Sequence, residues 1–122
     1  GGRVERAQTG EIGWFMVDSL VSGISPGPWF QYHNDHCLVP SDAVVLASND
    51  AAIQAFAIGR NLGVQFHPEV DAAQLADWFA HDTHAQRSGA DVAGFISHAS
   101  ASSVALVQRA DQLVGHFLGE LN

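Results

Sequence analysis

Near residue 70 the hydrophobic period of the chain changes, and that change limits what it can fold into. Before it, short apolar runs alternate with turn residues: Val44-Val45-Leu46-Ala47-Ser48, Gln54-Ala55-Phe56-Ala57-Ile58 and Leu62-Gly63-Val64-Gln65-Phe66. Val44 to Ser48 reads as a buried-type strand, Gln54 to Ile58 as another, and Val64 and Phe66 alternate with Gln65 as a strand does; their close spacing predicts antiparallel hairpins feeding a larger sheet. After it, Leu75, Trp78 and Phe79 lie three and four apart, which predicts a helix that Asp71 is placed to cap, with Gln74 three residues on. Residues 1–70 therefore read mainly as strands and 71–122 mainly as helices, an α/β arrangement within one domain.

The switch falls on Gly63-Val64-Gln65-Phe66-His67-Pro68-Glu69-Val70. In extended backbone, residues two apart point to the same side, so His67 and Glu69 project together. Pro68 fixes its own φ and biases His67 toward an extended conformation. A carboxylate beside one imidazole nitrogen selects the tautomer and leaves the other nitrogen free as a base. The plainer alternative is a surface histidine at a strand end beside a solvated glutamate.

Elsewhere, residues 1–10 read as a short polar connection with some strand character at Arg3-Val4-Glu5. A β-type run then follows at Phe15-Met16-Val17. Trp14 and Phe15 are expected to pack in the core. Two prolines and two glycines make residues 22–28 a loop. Trp29-Phe30-Gln31-Tyr32-His33 is the next strand, ending in the polar cluster His33-Asn34-Asp35-His36, with a separate short β segment at Cys37-Leu38-Val39. Residues 81–89 read as a polar connection. Asp91 is placed to cap a helix carrying Val92, Phe95 and Ile96, and Ser100 or Ser102 to cap the last one. There, Val107, Ala110, Leu113, Val114, Phe117 and Leu121 form a stripe expected to pack inward.

Three of these stretches together resemble class I glutamine amidotransferases of the stand-alone, GMP-synthase-like kind. Gln65-Phe66-His67-Pro68-Glu69 resembles that family's His-Pro-Glu segment, Glu11-Ile12-Gly13-Trp14 a second family stretch, and His33 and Asp35 its His-x-Asp pattern at a strand end. The resemblance covers most of residues 1–80 and weakens in the helical tail. It implies the C-terminal half of a flavodoxin-like domain, with a mixed sheet containing β-hairpins followed by C-terminal helices. In the family a Gly-Gly pair often closes the helix after the nucleophilic cysteine, and Gly1-Gly2 fits that place. The nucleophile and oxyanion hole are then expected in a missing N-terminal half. The resemblance implies hydrolysis of glutamine to glutamate and ammonia through a Cys-His-Glu triad. His67 would be its base and Glu69 the partner that orients it. No cofactor and no metal are implied, and the ammonia acceptor is not named.

The sequence leaves other readings open. Cys37, the single cysteine, is a weak candidate nucleophile: no glycine and no following helix surround it, so no backbone donors converge beside it. A small buried hydrophobe is the common fate of a free cysteine. His33, Asp35, His36, His67 and Glu69 are residue types that suit zinc or iron, although their spacings are common ones. A non-catalytic scaffold of the same fold, or another cysteine hydrolase of the superfamily, would keep the motifs without this reaction.

The net charge of −8, from 13 acidic and 5 basic residues, argues against nucleic acid and anionic membranes as partners. No apolar run reaches the roughly 20 residues of a transmembrane helix. The opening Gly1-Gly2-Arg3-Val4-Glu5-Arg6 has no apolar core of a signal peptide. One cysteine makes no intrachain disulfide, so a cytoplasmic setting is expected.

Overall fold

The computed structural model describes residues 1–120. Six strands come first: β1 (Arg3–Phe15), β2 (Asp18–Ser19), β3 (Trp29–Leu38), β4 (Val44–Ser48), β5 (Ile53–Ile58) and β6 (Asn61–Val64). Four helices follow: α1 (Ala72–His81), α2 (Thr83–Arg87), α3 (Val92–Ala101) and α4 (Ser103–Glu120). The strands form two sheets, one of β1 and β3, the other in the order β2-β4-β5-β6. Every ladder among the described residues is antiparallel, so the parallel part of the expected mixed sheet is not found in them.

β3 divides the interior because neighbouring strand residues face opposite ways. Trp29 enters one core with Val17, Ile24, Ala47, Ala55, Phe66 and Leu113. Phe30 enters the other with Val70, Leu75, Phe79, Ala85, Ala99 and Leu106. Trp29 stacks on Phe66 with ring centroids 4.3 Å apart. Phe30 meets Trp14, Phe79 and Phe95 edge-on at 5.2, 6.1 and 5.8 Å, geometries that suit the ring quadrupoles. Trp14 also donates from Nε1 to the Phe95 carbonyl at 3.1 Å, which ties β1 to α3.

Several boundaries differ from the sequence expectation. The polar residues 1–10 are not a connection. From Arg3 on they belong to β1, which pairs with β3 along its length apart from a register shift between Arg6 and Glu11. The run at Phe15-Met16-Val17 ends as a strand at Phe15. The polar cluster at His33 to His36 does not end its strand, because β3 runs on through Leu38. In both cases cross-strand backbone hydrogen bonds hold the chain extended whatever the side chains are. Residues 83–87 form a helix, because the Asp82 carboxylate accepts from the His84 and Ala85 amides and Ala85 is buried.

Asp71 and Asp91 cap α1 and α3 as expected, accepting from the Gln74 and Gly94 amides. Neither Ser100 nor Ser102 acts as a side-chain cap for α4. Ser100 lies within α3, and Ser102 closes α3 while its carbonyl accepts from the Leu106 amide. The stripe on α4 is narrower than expected. Leu113 is buried in the first core and Leu106 in the second, while Val107 and Val114 are exposed. Contact with two small cores, one turned toward each end of the helix, sets this face. Arg109 and Gln112 fasten it further, donating to the carbonyls of Pro28 and Ser22 at 3.0 and 2.7 Å. Leu121 lies outside the described residues.

Two energetic consequences are measurable by denaturant titration. Phe30→Ala, which empties the centre of the second core, should cost about 3–5 kcal/mol. Asp91→Ala, which removes only the α3 cap, should cost about 1 kcal/mol.

Candidate functional site

β6 ends at Val64, and the next three residues are shared between the two sheets. The Gln65 amide donates to the Gln54 carbonyl on β5, and the His67 amide to the Phe30 carbonyl on β3, both at 2.9 Å. Between them Phe66 turns inward to stack on Trp29. His67, one residue on, faces the other way, toward α1, where its ring meets Trp78 edge-on at 5.1 Å. Alternation thus presents the imidazole on the helical side of the sheet.

There, His67 Nδ1 lies 2.9 Å from Glu69 Oε1. A carboxylate oxygen only accepts when ionised, so this bond places the proton on Nδ1 and leaves Nε2 as the lone-pair nitrogen. Nε2 makes no hydrogen bond among the described residues. The pair is partly open, with side-chain exposures of 30% for His67 and 50% for Glu69. The ring borders an open groove shared with Tyr32, Asp77, Trp78 and His81. Such a pair can take a proton from a weak acid brought to Nε2 and return it to a leaving group.

The other sequence candidates lie elsewhere. His33 is directly opposite Glu11 across the β1–β3 ladder, and its Nε2 is 2.9 Å from Glu11 Oε1. Its Nδ1 turns to the backbone oxygen of Asp35, at 2.8 Å, so the His-x-Asp pattern brings the imidazole to the aspartate's carbonyl rather than its carboxylate. His36 Nε2 lies 3.4 Å from Glu5 Oε1. The five residues weighed as metal ligands are thus divided among separate pairings, and among the described residues no three His, Cys, Asp or Glu side chains are grouped to hold a metal ion. Cys37 sits within β3 opposite Val4, on a strand not followed by a helix, so it has no elbow geometry.

Sequence reasoning missed one constellation. Glu11, which the sequence marks only as part of the Glu11-Ile12-Gly13-Trp14 stretch, is only 3% exposed. Besides His33, its Oε1 accepts from Gln54 Nε2 at 2.9 Å and its Oε2 from Asn49 Nδ2 at 2.7 Å. Gln54 also accepts at Oε1 from Gln31 Nε2, 2.7 Å away, and both glutamines are fully buried. Gln31 Oε1 has no hydrogen-bond partner among the described residues. The available signal was a glutamine inside each of two otherwise apolar strands, Trp29-Phe30-Gln31-Tyr32 and Ile53-Gln54-Ala55-Phe56, since buried polar groups come paired. Two residues on, Gly13 has a φ of +129°, a conformation that L side chains rarely adopt, and a Cβ there would lie 3.0 Å from the Phe95 ring.

No protein-family model matches the chain, and no curated protein matches it in sequence. Solved structures do match in fold. A glutamine amidotransferase from Thermotoga maritima aligns with 96% of this chain and 55% of its own, at 26% identity and a TM-score of 0.84. A glutamine amidotransferase from Methylobacillus flagellatus aligns with 98% of this chain and 56% of its own, at 18% identity and a TM-score of 0.81. A candidate GMP synthase component from Thermoplasma acidophilum aligns with 88% of this chain and 53% of its own, at 23% identity and a TM-score of 0.52. The chain thus spans about half the length of the structures it matches. The resemblance first carried by three short motifs extends to the fold, and the chain is the structural counterpart of about half of a glutamine amidotransferase.

Proposed function

We infer that this chain supplies the histidine and carboxylate of a Cys-His-Glu triad that hydrolyses the side-chain amide of glutamine. The observation that carries the reading is the His67–Glu69 bond through Nδ1, which leaves Nε2 unbonded on a ring that lines an open groove. The match to half of two glutamine amidotransferases supports it. The other part of the domain, with the nucleophilic cysteine, the oxyanion donors and the strands that complete a flavodoxin-like sheet, lies outside residues 1–122 in this reading. A cytoplasmic, reducing setting suits such a thiol.

The chemistry follows from the free nitrogen. Nε2 of His67 takes the thiol proton, and the imidazolium so formed stabilises the thiolate. The thiolate attacks the glutamine carboxamide carbon. As the C–N bond breaks, the imidazolium returns its proton to the nitrogen and ammonia leaves, with a glutamyl thioester remaining. His67 then draws a proton from water, hydroxide adds to the thioester carbon, and glutamate departs as the thiol is restored. Throughout, Glu69 holds the ring's orientation and balances the charge of the imidazolium. No step requires a cofactor.

Glutamate release by the protein assembled with its nucleophile-bearing part tests this. His67→Ala should lower kcat by about a hundredfold to ten-thousandfold, the usual contribution of a positioned general base. Glu69→Ala should cost less, because it orients rather than transfers. Cys37→Ser should leave turnover unchanged. Turnover by His67→Ala at the parental rate sinks the triad reading and favours a scaffold of the same fold.

The 122-residue chain alone should release no ammonia from glutamine. A base without an in-line thiolate and oxyanion donors lacks the larger part of the machinery, and one lost oxyanion donor alone costs on the order of a hundredfold or more. Activity of the isolated chain that disappears with Cys37→Ser would overturn both this expectation and the external-nucleophile reading.

A further inference from the structure

The buried network around Glu11 lies beside the carbonyls that hold His67. The two sheets share no ladder. Yet the backbone from Gln65 to His67 hangs from both, by Gln54 on β5 and by Phe30 on β3. Only Phe66 separates the two attachment points, so any shift of one sheet against the other must twist the peptide that carries the imidazole. What fixes the sheets at this level is polar. Gln31, next to Phe30, donates from Nε2 to Gln54 Oε1 at 2.7 Å. Gln54 passes the connection to Glu11 on β1 and, at 3.1 Å, to Asn49 Oδ1. Asn49 in turn holds the β4–β5 turn by accepting from the Ala51 and Ala52 amides at 3.1 and 3.0 Å. His33 closes the network on β3 through Glu11.

We propose that Gln31, Gln54 and Glu11 are positioning residues for His67, a polar clamp that sets one sheet against the other so that the imidazole keeps its bond to Glu69. Amide-to-amide and amide-to-carboxylate bonds are directional, whereas apolar burial by itself is not. The network is also not arranged for stability alone: Gln31 Oε1 is buried without a partner among the described residues, which costs free energy that an apolar side chain would avoid. A clamp accepts such a cost in return for fixed geometry. The catalytic meaning of the clamp rests on the triad reading given above; its structural meaning does not.

Gln31→Leu and Gln54→Leu cut the connection while leaving both backbone carbonyls in place, and Glu11→Gln serves as a third variant should either fail to fold. Folding is checked by circular dichroism, and the ring nitrogens of His67 are followed by NMR. The expected result is a folded protein in which the His67 ring shifts move away from the Nδ1–H tautomer bonded to Glu69. Where glutamine is turned over, kcat should fall by about tenfold with KM within about twofold, the pattern of a misplaced base rather than a lost substrate contact. Folded variants with parental His67 ring shifts overturn the clamp, whatever happens to turnover. Ring shifts that move support the clamp even if the parental protein, assembled with its nucleophile-bearing part, turns over no glutamine, an outcome that counts only against the triad reading.

Discussion

The position of His67 depends on β3 and on the alternation of its side chains. Trp29 and Phe30 are consecutive and fully committed to different cores, so β3 is fixed from both sides. Phe66 follows Trp29 into one core, and the His67 amide is held by the carbonyl of Phe30. A change that tilts β3 alters both cores and moves the histidine with them. In an interior as closely packed as an organic crystal, such tilts are resisted by many small contacts at once. The His67–Glu69 pair is half-open to solvent, but the backbone carrying it is anchored on fully buried strand residues, Phe30 and Gln54.

Around that strand two kinds of force divide the work. Aromatic and aliphatic contacts fill the space on the helical side, where Phe30, Phe79 and Phe95 meet. On the other side Trp29 is followed, two and four residues on, by Gln31 and His33, which turn toward hydrogen bonds. A buried carboxylate such as Glu11 is costly to remove from water, and the amide donors of Gln54 and Asn49, with the His33 ring beside them, offset that cost. Packing supplies most of the cohesion, and the polar side supplies direction.

Much of this was legible in the sequence. The strands from Val44 onward, the caps at Asp71 and Asp91, and the adjacency of His67 and Glu69 follow from local rules, because each depends on residues within a few positions. The departures share a cause. Arg3 to Arg6 are exposed, so no inward period marks the start of β1, and only its pairing with β3 makes it a strand. The second half of β3 is hidden for the same reason. Nothing local marks Glu11 as buried, because its partners lie at residues 33, 49 and 54, far away in sequence. Non-local pairing leaves little trace in a local pattern. On α4 the periodicity is real, but which slice of it is covered depends on where two separate cores touch the helix.

The register shift in β1 divides the β1–β3 pair into unlike halves. From Glu11 to Phe15 the strand lies over the helical core, whereas Arg3 to Arg6 and the residues opposite them form a two-stranded ribbon with little buried against it. Isolated two-stranded ribbons are marginal in water. Opening free energies within one molecule range from near zero to that of global unfolding. The outer ribbon therefore belongs to the low end of that range and the inner half to the high end. Cys37, opposite Val4, lies on the outer side of the division. Its thiol is only partly buried as the structure stands, so its chemistry does not wait on the unfolding of Glu11, Phe30 and the histidine segment.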